Sequence, residues 1–342
     1  MKILIYNTIQ QITLLVALFC STAMWGQDKL LFHQLQQELN PLLEKIYSAP
    51  TDNERYNANE QFVDIMHEAL QQENSFFYEW QFGKRVSVLT STDKQFRIIT
   101  WPVVRDDGEY ECFGFIQSWS EKEGDYVVFT LHDKSDEMIS AEETVLDPDN
   151  WYGCVYQDLV EQKFEGKMYY TLIGWTGVDA LTQRKVIEPI AFKGTNAQPL
   201  FGQSIFRREK NRRRLILQYS ATAMVNVRYE EQFVDVETVK KVKKKGGRTV
   251  TQREVHQEKM KMILFDEIAP QIPGMEGLYQ YYIQTGTEMA YIFVNGRWEL
   301  HNSAQGRVNN PKLNKEFEPL PKTAPTYKVT LRETDPANNP KK

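Results

Sequence analysis

Asn150 to Gly177 reads NWYGCVYQDLVEQKFEGKMYYTLIGWTG, and QRKVIEPIAF follows at 183–192. Two β-branched and aromatic runs meet at Glu165-Gly166, a pair suited to a tight hairpin turn, and a third run follows a short polar break. The middle run, Met168 to Trp175, is apolar or aromatic at nearly every position. Both of its faces can therefore be buried, which places it inside a sheet rather than at an edge.

Working outward, the same texture extends from Phe76 to His301. Short runs rich in Val, Ile, Thr, Tyr, Phe and Trp fall at 84–90, 95–104, 109–119, 125–132, 151–162, 167–176, 185–193, 213–219, 223–231, 233–244, 249–265, 278–284, 288–294 and 297–301. Turn signals such as Asp107-Gly108, Glu123-Gly124 and Asn295-Gly296 separate them. No helical pattern intervenes that could carry parallel crossovers, so the strands are expected to pair antiparallel. The predicted class is mainly β: an antiparallel meander of twisted sheets forming a sandwich, a barrel or a propeller-like array.

Before this body, Leu31, Leu35, Leu39, Leu42 and Ile46 recur at helical spacing, with Pro41 a point of kinking or division. Thr51 and Glu54 form a capping box, opening a second helix that carries Tyr56, Phe62, Ile65, Met66 and Ala69 on one side. Residues 27–75 therefore read as a helical pair. His33 and His67 lie in it, neither with a second ligand at i+3 or i+4. Residues 1–26 read as an export signal: Lys2, the apolar run Ile12 to Cys20, then small residues. The run is too short to span a membrane, and the chain that follows contains no other candidate span. Residues 302–342 are rich in Asn, Pro and Lys and read as an extended or disordered tail with one strand-like run at Tyr327 to Leu331.

Export bears on the cysteines. Beyond the signal only Cys112 and Cys154 remain, each in an aromatic-rich strand candidate. A disulfide between them and two separately buried thiols are both open readings.

The net charge of -5 conceals a division. Residues 201–261 hold 16 Lys and Arg against 7 Asp and Glu, a net of +9, which leaves -14 for the rest. Within this stretch, 233–260 reads as a hairpin about Gly246-Gly247. A two-residue turn there would place Lys245 opposite Arg248, and Lys240 opposite Arg253. Neither face is then continuously apolar toward the tip, so the hairpin is expected to project. Lys240, Lys241, Lys243, Lys244, Lys245 and Arg248 on it, with Arg207, Arg208, Arg212, Arg213 and Arg214 before it, form the candidate contact surface for an acidic partner. That partner would be another envelope protein or an anionic glycan. The competing reading is a solvated hairpin whose lysines protect strand edges from aggregation. Nucleic acid is not expected, because aromatics are not interleaved with these cations.

The sequence contains no GxSxG, HExxH, P-loop or dinucleotide fingerprint. No catalytic residue, cofactor or metal is assigned. The acidic loop with Asp133, Asp136, Glu137, Asp147 and Asp149 is the densest, readable as a calcium site or as a carboxylate pair, and the pair gives a secreted glycan-active hydrolase as the alternative function. Capping and loop chemistry, with Ser135 as an N-cap, is the structural alternative. Trp101, Trp119, Trp151, Trp175 and Trp298 suit core packing or a sugar-stacking platform.

Six phrases, FRIITW (96–101), DKSDE (133–137), NWYG (150–153), YYTLIGW (169–175), FGQSIF (201–206) and ILFDEIAP (263–270), resemble those of an uncharacterised family of exported proteins from Bacteroidota-type bacteria. The resemblance covers about 85–300. It implies export and an intact β body, and names no chemistry.

Overall fold

Thr51 opens the second helix as expected. Its hydroxyl accepts from the Glu54 amide (3.4 Å) and donates to the Glu54 carboxylate (3.0 Å). Such a cap contributes about 1 kcal/mol. The computed structural model describes residues 28–209, 211–243, 249–302 and 327–331; in 235–255, at 302 and in 327–331 it describes the backbone alone. The expected signal segment 1–26 and most of the expected tail lie outside these residues. Helix α1 spans 28–48 and runs through Pro41 without division. Helix α2 is Asp52–Gln71. They bury Phe32, Leu39, Leu42, Leu43 and Ile46 with Phe62, Met66, Ala69 and Leu70. Leu31, expected on the apolar stripe, is 39% exposed because the buried stripe passes through Phe32.

Three antiparallel sheets follow in chain order. Sheet I is β1 (Ser87–Thr90), β2 (Phe96–Val104), β3 (Tyr110–Ser120) and β4 (Asp125–His132), paired in that order. Sheet II is β5 (Val155–Phe164), β6 (Lys167–Gly177), β7 (Thr182–Lys193) and β8 (Gln198–Phe201), with β9 (Leu215–Ser220) sharing the β8 edge of β7. Sheet III has the order β13-β12-β11-β10-β14, built from β10 (Val227–Lys243), β11 (Thr249–Pro270), β12 (Tyr282–Val294), β13 (Arg297–Asn302) and β14 (Tyr327–Leu331). None of the three closes on itself among the described residues.

Side-chain alternation fixes how these layers stack. On β2, Ile99, Trp101 and Val103 face the helices, while Phe96 and Ile98 join Cys154, Tyr156, Tyr170 and Leu172 of sheet II. On β6, Tyr170 and Leu172 face sheet I, while Ile173 joins Ile263, Phe265, Tyr291 and Trp298 of sheet III. The order is helices, sheet I, sheet II, sheet III. Strand β6 is interior in both senses, with β5 and β7 as neighbours and a core on each face. The two-sided apolar pattern from which it was predicted has this cause.

Two buried charged groups bind the layers. Arg97 is 2% exposed and has no carboxylate partner among the described residues. Its guanidinium donates to Gln117 Oε1 (3.0 Å), Tyr78 O (2.8 Å) and Ser75 O (2.9 Å), and lies 5.4 Å from the Phe76 ring centre. Burial pushes its pKa down to about 9, so it remains charged at neutral pH. Gln117 Nε2 in turn donates to Leu70 O (2.9 Å), one of the carbonyls that α2 leaves unpaired at its end. The second group, Arg214 with Glu188, is described below.

Among the named strands, one pairing departs from the antiparallel expectation. Strand β14 runs parallel to β10, from Val234↔Tyr327 to Thr238↔Leu331. The strand-like run at Tyr327 to Leu331 therefore adds to the sheet's edge.

Candidate functional site

Beyond Met262, strand β11 has β10 as its one described neighbour. Thirteen ladder pairs continue from Glu231↔Lys261 to Lys243↔Thr249, with β14 along five of the β10 positions. At ~3.4 Å per residue this two-stranded arm is roughly 40 Å long. Phe233 and Lys259 near its base are exposed, and the Lys259 ammonium sits 5.4 Å from the Phe233 ring centre.

The register differs from the expected one by a single residue. Lys240 pairs with Gln252 and Val239 with Arg253, so the expected Lys240–Arg253 opposition does not occur. The described ladder ends at Lys243↔Thr249, and Lys244, Lys245, Gly246, Gly247 and Arg248 lie outside the described residues. The cause lies at the arm's base. Tyr229 and Val227 join the core shared with sheet II, whereas Leu264 lies with Val234 on the opposite face of sheet III. The expected register would set Leu264 opposite Tyr229 and force one of them onto the wrong face. Side-chain period two makes such a slip costly along the whole strand, so the body's core overrides the local turn preference.

The preceding arginine cluster is largely committed within the chain. Arg214 is fully buried and cannot touch a partner, which corrects its placement on the contact surface. Its guanidinium pairs with Glu188 and donates to Ala141 O, Thr144 O (2.9 Å) and Phe201 O (3.5 Å). Glu188 also accepts from Tyr156 OH (2.5 Å), whose oxygen accepts from Trp151 Nε1 (2.9 Å). Arg207 pairs with Glu299, and Arg212 with Glu209 and Glu142. Arg213 is half-buried and Arg208 exposed. The structure therefore spends Arg207, Arg212 and Arg214 on partners within the chain, while Arg208 and Arg212 line one cleft with Glu142, Glu143 and Glu209. Glu188 inside VIEPIAF was the signal: an acid in an apolar strand needs a buried cation.

The acidic loop is occupied in the same way. It forms three single-turn helices, Ser135–Glu137, Ala141–Glu143 and Pro148–Asn150. The Asp133 carboxylate accepts from the amides of Cys112 (2.9 Å), Ser135 (2.9 Å) and Gly153 (3.1 Å). Ser135 is not an N-cap; Asp147 is, accepting from the Asn150 amide (3.0 Å). Glu137 pairs with Lys134, and Asp136 and Asp149 have no described partner of this kind. No group of three or more metal-ligating side chains occurs among the described residues.

Cys112 and Cys154 are both buried and both free. Burial raises both thiol pKa values, Cys112 further under the nearby Asp133 and Cys154 under Cys112. Trp101, Trp151 and Trp298 are at most 1% exposed, and Trp175 is half-buried with its Nε1 on Gln183 (2.7 Å). Only Trp119 of the five tryptophans named above reaches solvent appreciably, at 38%, beside Tyr126. A cleft of about 520 Å³ lies between α2 and β2–β4, edged by Glu60, Asp64, Glu111, Asp133 and Lys134. Tyr56 OH donates to Glu111 there (2.7 Å). No signal in the sequence brought Glu60, Asp64 and Glu111 together, because strand and helix are over forty residues apart.

The class these observations define is a layered antiparallel β protein with a helical flank and a long two-stranded arm. Among the described residues no helix is long and apolar enough to cross a membrane. No family model, no curated protein and no solved structure matches the chain.

Proposed function

We propose that this protein is an exported binding or assembly module of the bacterial cell envelope that holds an acidic partner through the β10–β11 arm. The observation that carries the reading is charge placed on an extended ribbon. Residues 239–253 contain seven Lys and Arg and no Asp or Glu. A ribbon so charged gathers anionic surface by long-range attraction. Export is supported by Lys2 and the apolar run at Ile12 to Cys20. With Arg214 buried and Arg207 and Arg212 paired internally, the contact rests on the arm rather than on the arginine cluster. The hydrolase alternative gains nothing from the acidic loop, where Asp133, Glu137, Glu142 and Asp147 hold the fold.

The test is capture from cell-envelope extract with the intact protein and with 240–248 replaced by a short Asn-Gly turn. Loss of captured partners with the shortened arm, and loss of the same partners in high salt, is expected. Identical recovery from both proteins would refute the reading.

A further inference from the structure

The layer order has an electrical consequence. Residues 28–75, which build the helical flank, contain nine acidic and three basic side chains. The arm belongs to sheet III, at the opposite end of the stack. The stack thus carries an acidic helical flank at one end and, on the sheet at the other, the cationic arm segment 239–253.

The acidic end is ordered. Glu60, Asp64 and Glu68 lie at i, i+4 and i+8 on α2, and all three are exposed. Like charges at this spacing disfavour a helix. No cation on the helix relieves them: Arg55, its sole Lys or Arg, is held by Asp52 and Asp106. No ion pair to Glu60, Asp64 or Glu68 occurs among the described residues, and Glu60 and Asp64 also edge the cleft shared with Glu111. The stripe carries a cost that no ion pair among the described residues offsets.

The spacing of the two ends matches. Four residues of α-helix rise ~6.0 Å, so the carboxylates repeat at that interval. Two residues of strand advance ~6.7 Å. Lys241 and Lys243 are two apart on β10, and the register puts Arg253 on the same face, across from Val239. A strand lying along the helix brings successive cations opposite successive carboxylates. Each copy has one arm and one stripe at opposite ends.

We infer that the acidic partner of the arm is a second copy of this chain, the arm of one molecule lying along the Glu60, Asp64 and Glu68 stripe of the next. This rests on the arm being the contact element. The contact is head-to-tail, so it builds chains or rings rather than closed two-fold dimers.

Sedimentation velocity on the protein purified as exported by a bacterial host tests this, at about 30 mM and about 500 mM NaCl, where screening of exposed charges differs severalfold. Concentration-dependent association at low salt that dissolves at high salt is expected. E60K/D64K/E68K and K241E/K243E/R253E should each sediment as a single slow species at low salt. An equimolar mixture should associate again, because each variant then offers the charge the other lacks. E60Q/D64N/E68Q, which adds no cation, should associate more weakly than wild type. Circular dichroism melting near the wild-type temperature verifies that each variant folds. A wild-type protein that sediments as one monomeric species at low salt overturns the inference, and so does a mixture of folded variants that fails to associate. If the α2 reversal leaves association intact while the arm reversal abolishes it, this inference falls and the arm keeps its role with another acidic surface. If the arm reversal alters neither self-association nor envelope capture, both readings fall.

Discussion

Replacing Arg214 with Met should destabilise the protein more than any surface substitution in the same cluster. The Arg214 and Glu188 side chains are both 0% exposed. Removing the guanidinium strands the Glu188 carboxylate in the core between sheets I and II and withdraws a donor from Ala141 O, Thr144 O and Phe201 O. Breaking a buried pair from one side typically costs about 3–5 kcal/mol. Native domains have only about 5–15 kcal/mol in total, so the loss is a large fraction. It corresponds to a fall in Tm of roughly 6–15 °C. Chemical denaturation followed by tryptophan fluorescence measures it, since Trp151 donates to Tyr156, which itself donates to Glu188.

A double-mutant cycle isolates the pair. R214M/E188L removes both charges and leaves unpaired carbonyls and one phenol, each about 1–3 kcal/mol at most. The double variant should therefore be more stable than the sum of the single effects predicts, by about 2 kcal/mol. Additive single effects, or a cost below about 1 kcal/mol for R214M, would refute the account of Arg214 as a buried structural cation. R208A, at the exposed position, should change stability by less than about 0.5 kcal/mol.

Three further outcomes follow from groups the fold encloses. Burial raises the phenol pKa of Tyr219 to about 12 and those of Tyr47, Tyr56, Tyr152, Tyr156, Tyr170 and Tyr291 further. Unfolded phenols ionise near ~10. These groups therefore leave stability undiminished below pH ~10, and it falls as pH climbs toward and past 12. Ultraviolet titration should show their ionisation only together with unfolding; a smooth native titration of every tyrosine near pH 10 would contradict it. A Cβ at Gly153 would lie 1.7 Å from Asp133 Oδ2, so G153A must break the three-amide clamp of Asp133. A loss of about 2–4 kcal/mol is expected, with D133N giving a smaller loss, and an unchanged melting curve for G153A would count against the clamp. Cys112 and Cys154, enclosed and protonated, should react with an aromatic disulfide reagent only upon unfolding; rapid modification of the native protein would show that the core between sheets I and II is open.

The parts of this architecture legible in the sequence are those decided by neighbouring residues. The apolar run at Met168 to Trp175 marked β6 as interior, and Thr51 with Glu54 marked the start of α2. Strand β8 is not legible in the sequence, because its four residues, one of them Pro199, carry no polar–apolar alternation; it exists because Ile190 and Phe192 of β7 present an edge to it. Gly246-Gly247 points to the wrong register because it is a local signal, while Tyr229 and Leu264 settle the register from the other end. Arg212, Arg213 and Arg214 look alike in sequence. Their separate fates depend on Glu209, Glu142 and Glu188, brought to them by folding.

The charge division was likewise visible as a count and invisible as an arrangement. Sixteen cations between 201 and 261 suggest one basic surface. Folding turns several of them inward or pairs them, and leaves the arm as the cationic element. The same stack carries the acidic helices to its far end, where Glu60, Asp64 and Glu68 repel one another along α2. Either feature alone is a solvated surface. Together, at opposite ends of the stack and with nearly equal repeats, they give each copy two charged elements of opposite sign. Association in that case depends on ionic strength, because exposed charges are screened over about 10 Å at 0.1 M salt. Arm and stripe are therefore a matched pair only if reversing both signs together preserves association, an outcome that a nonspecific attraction to any acidic surface would not produce.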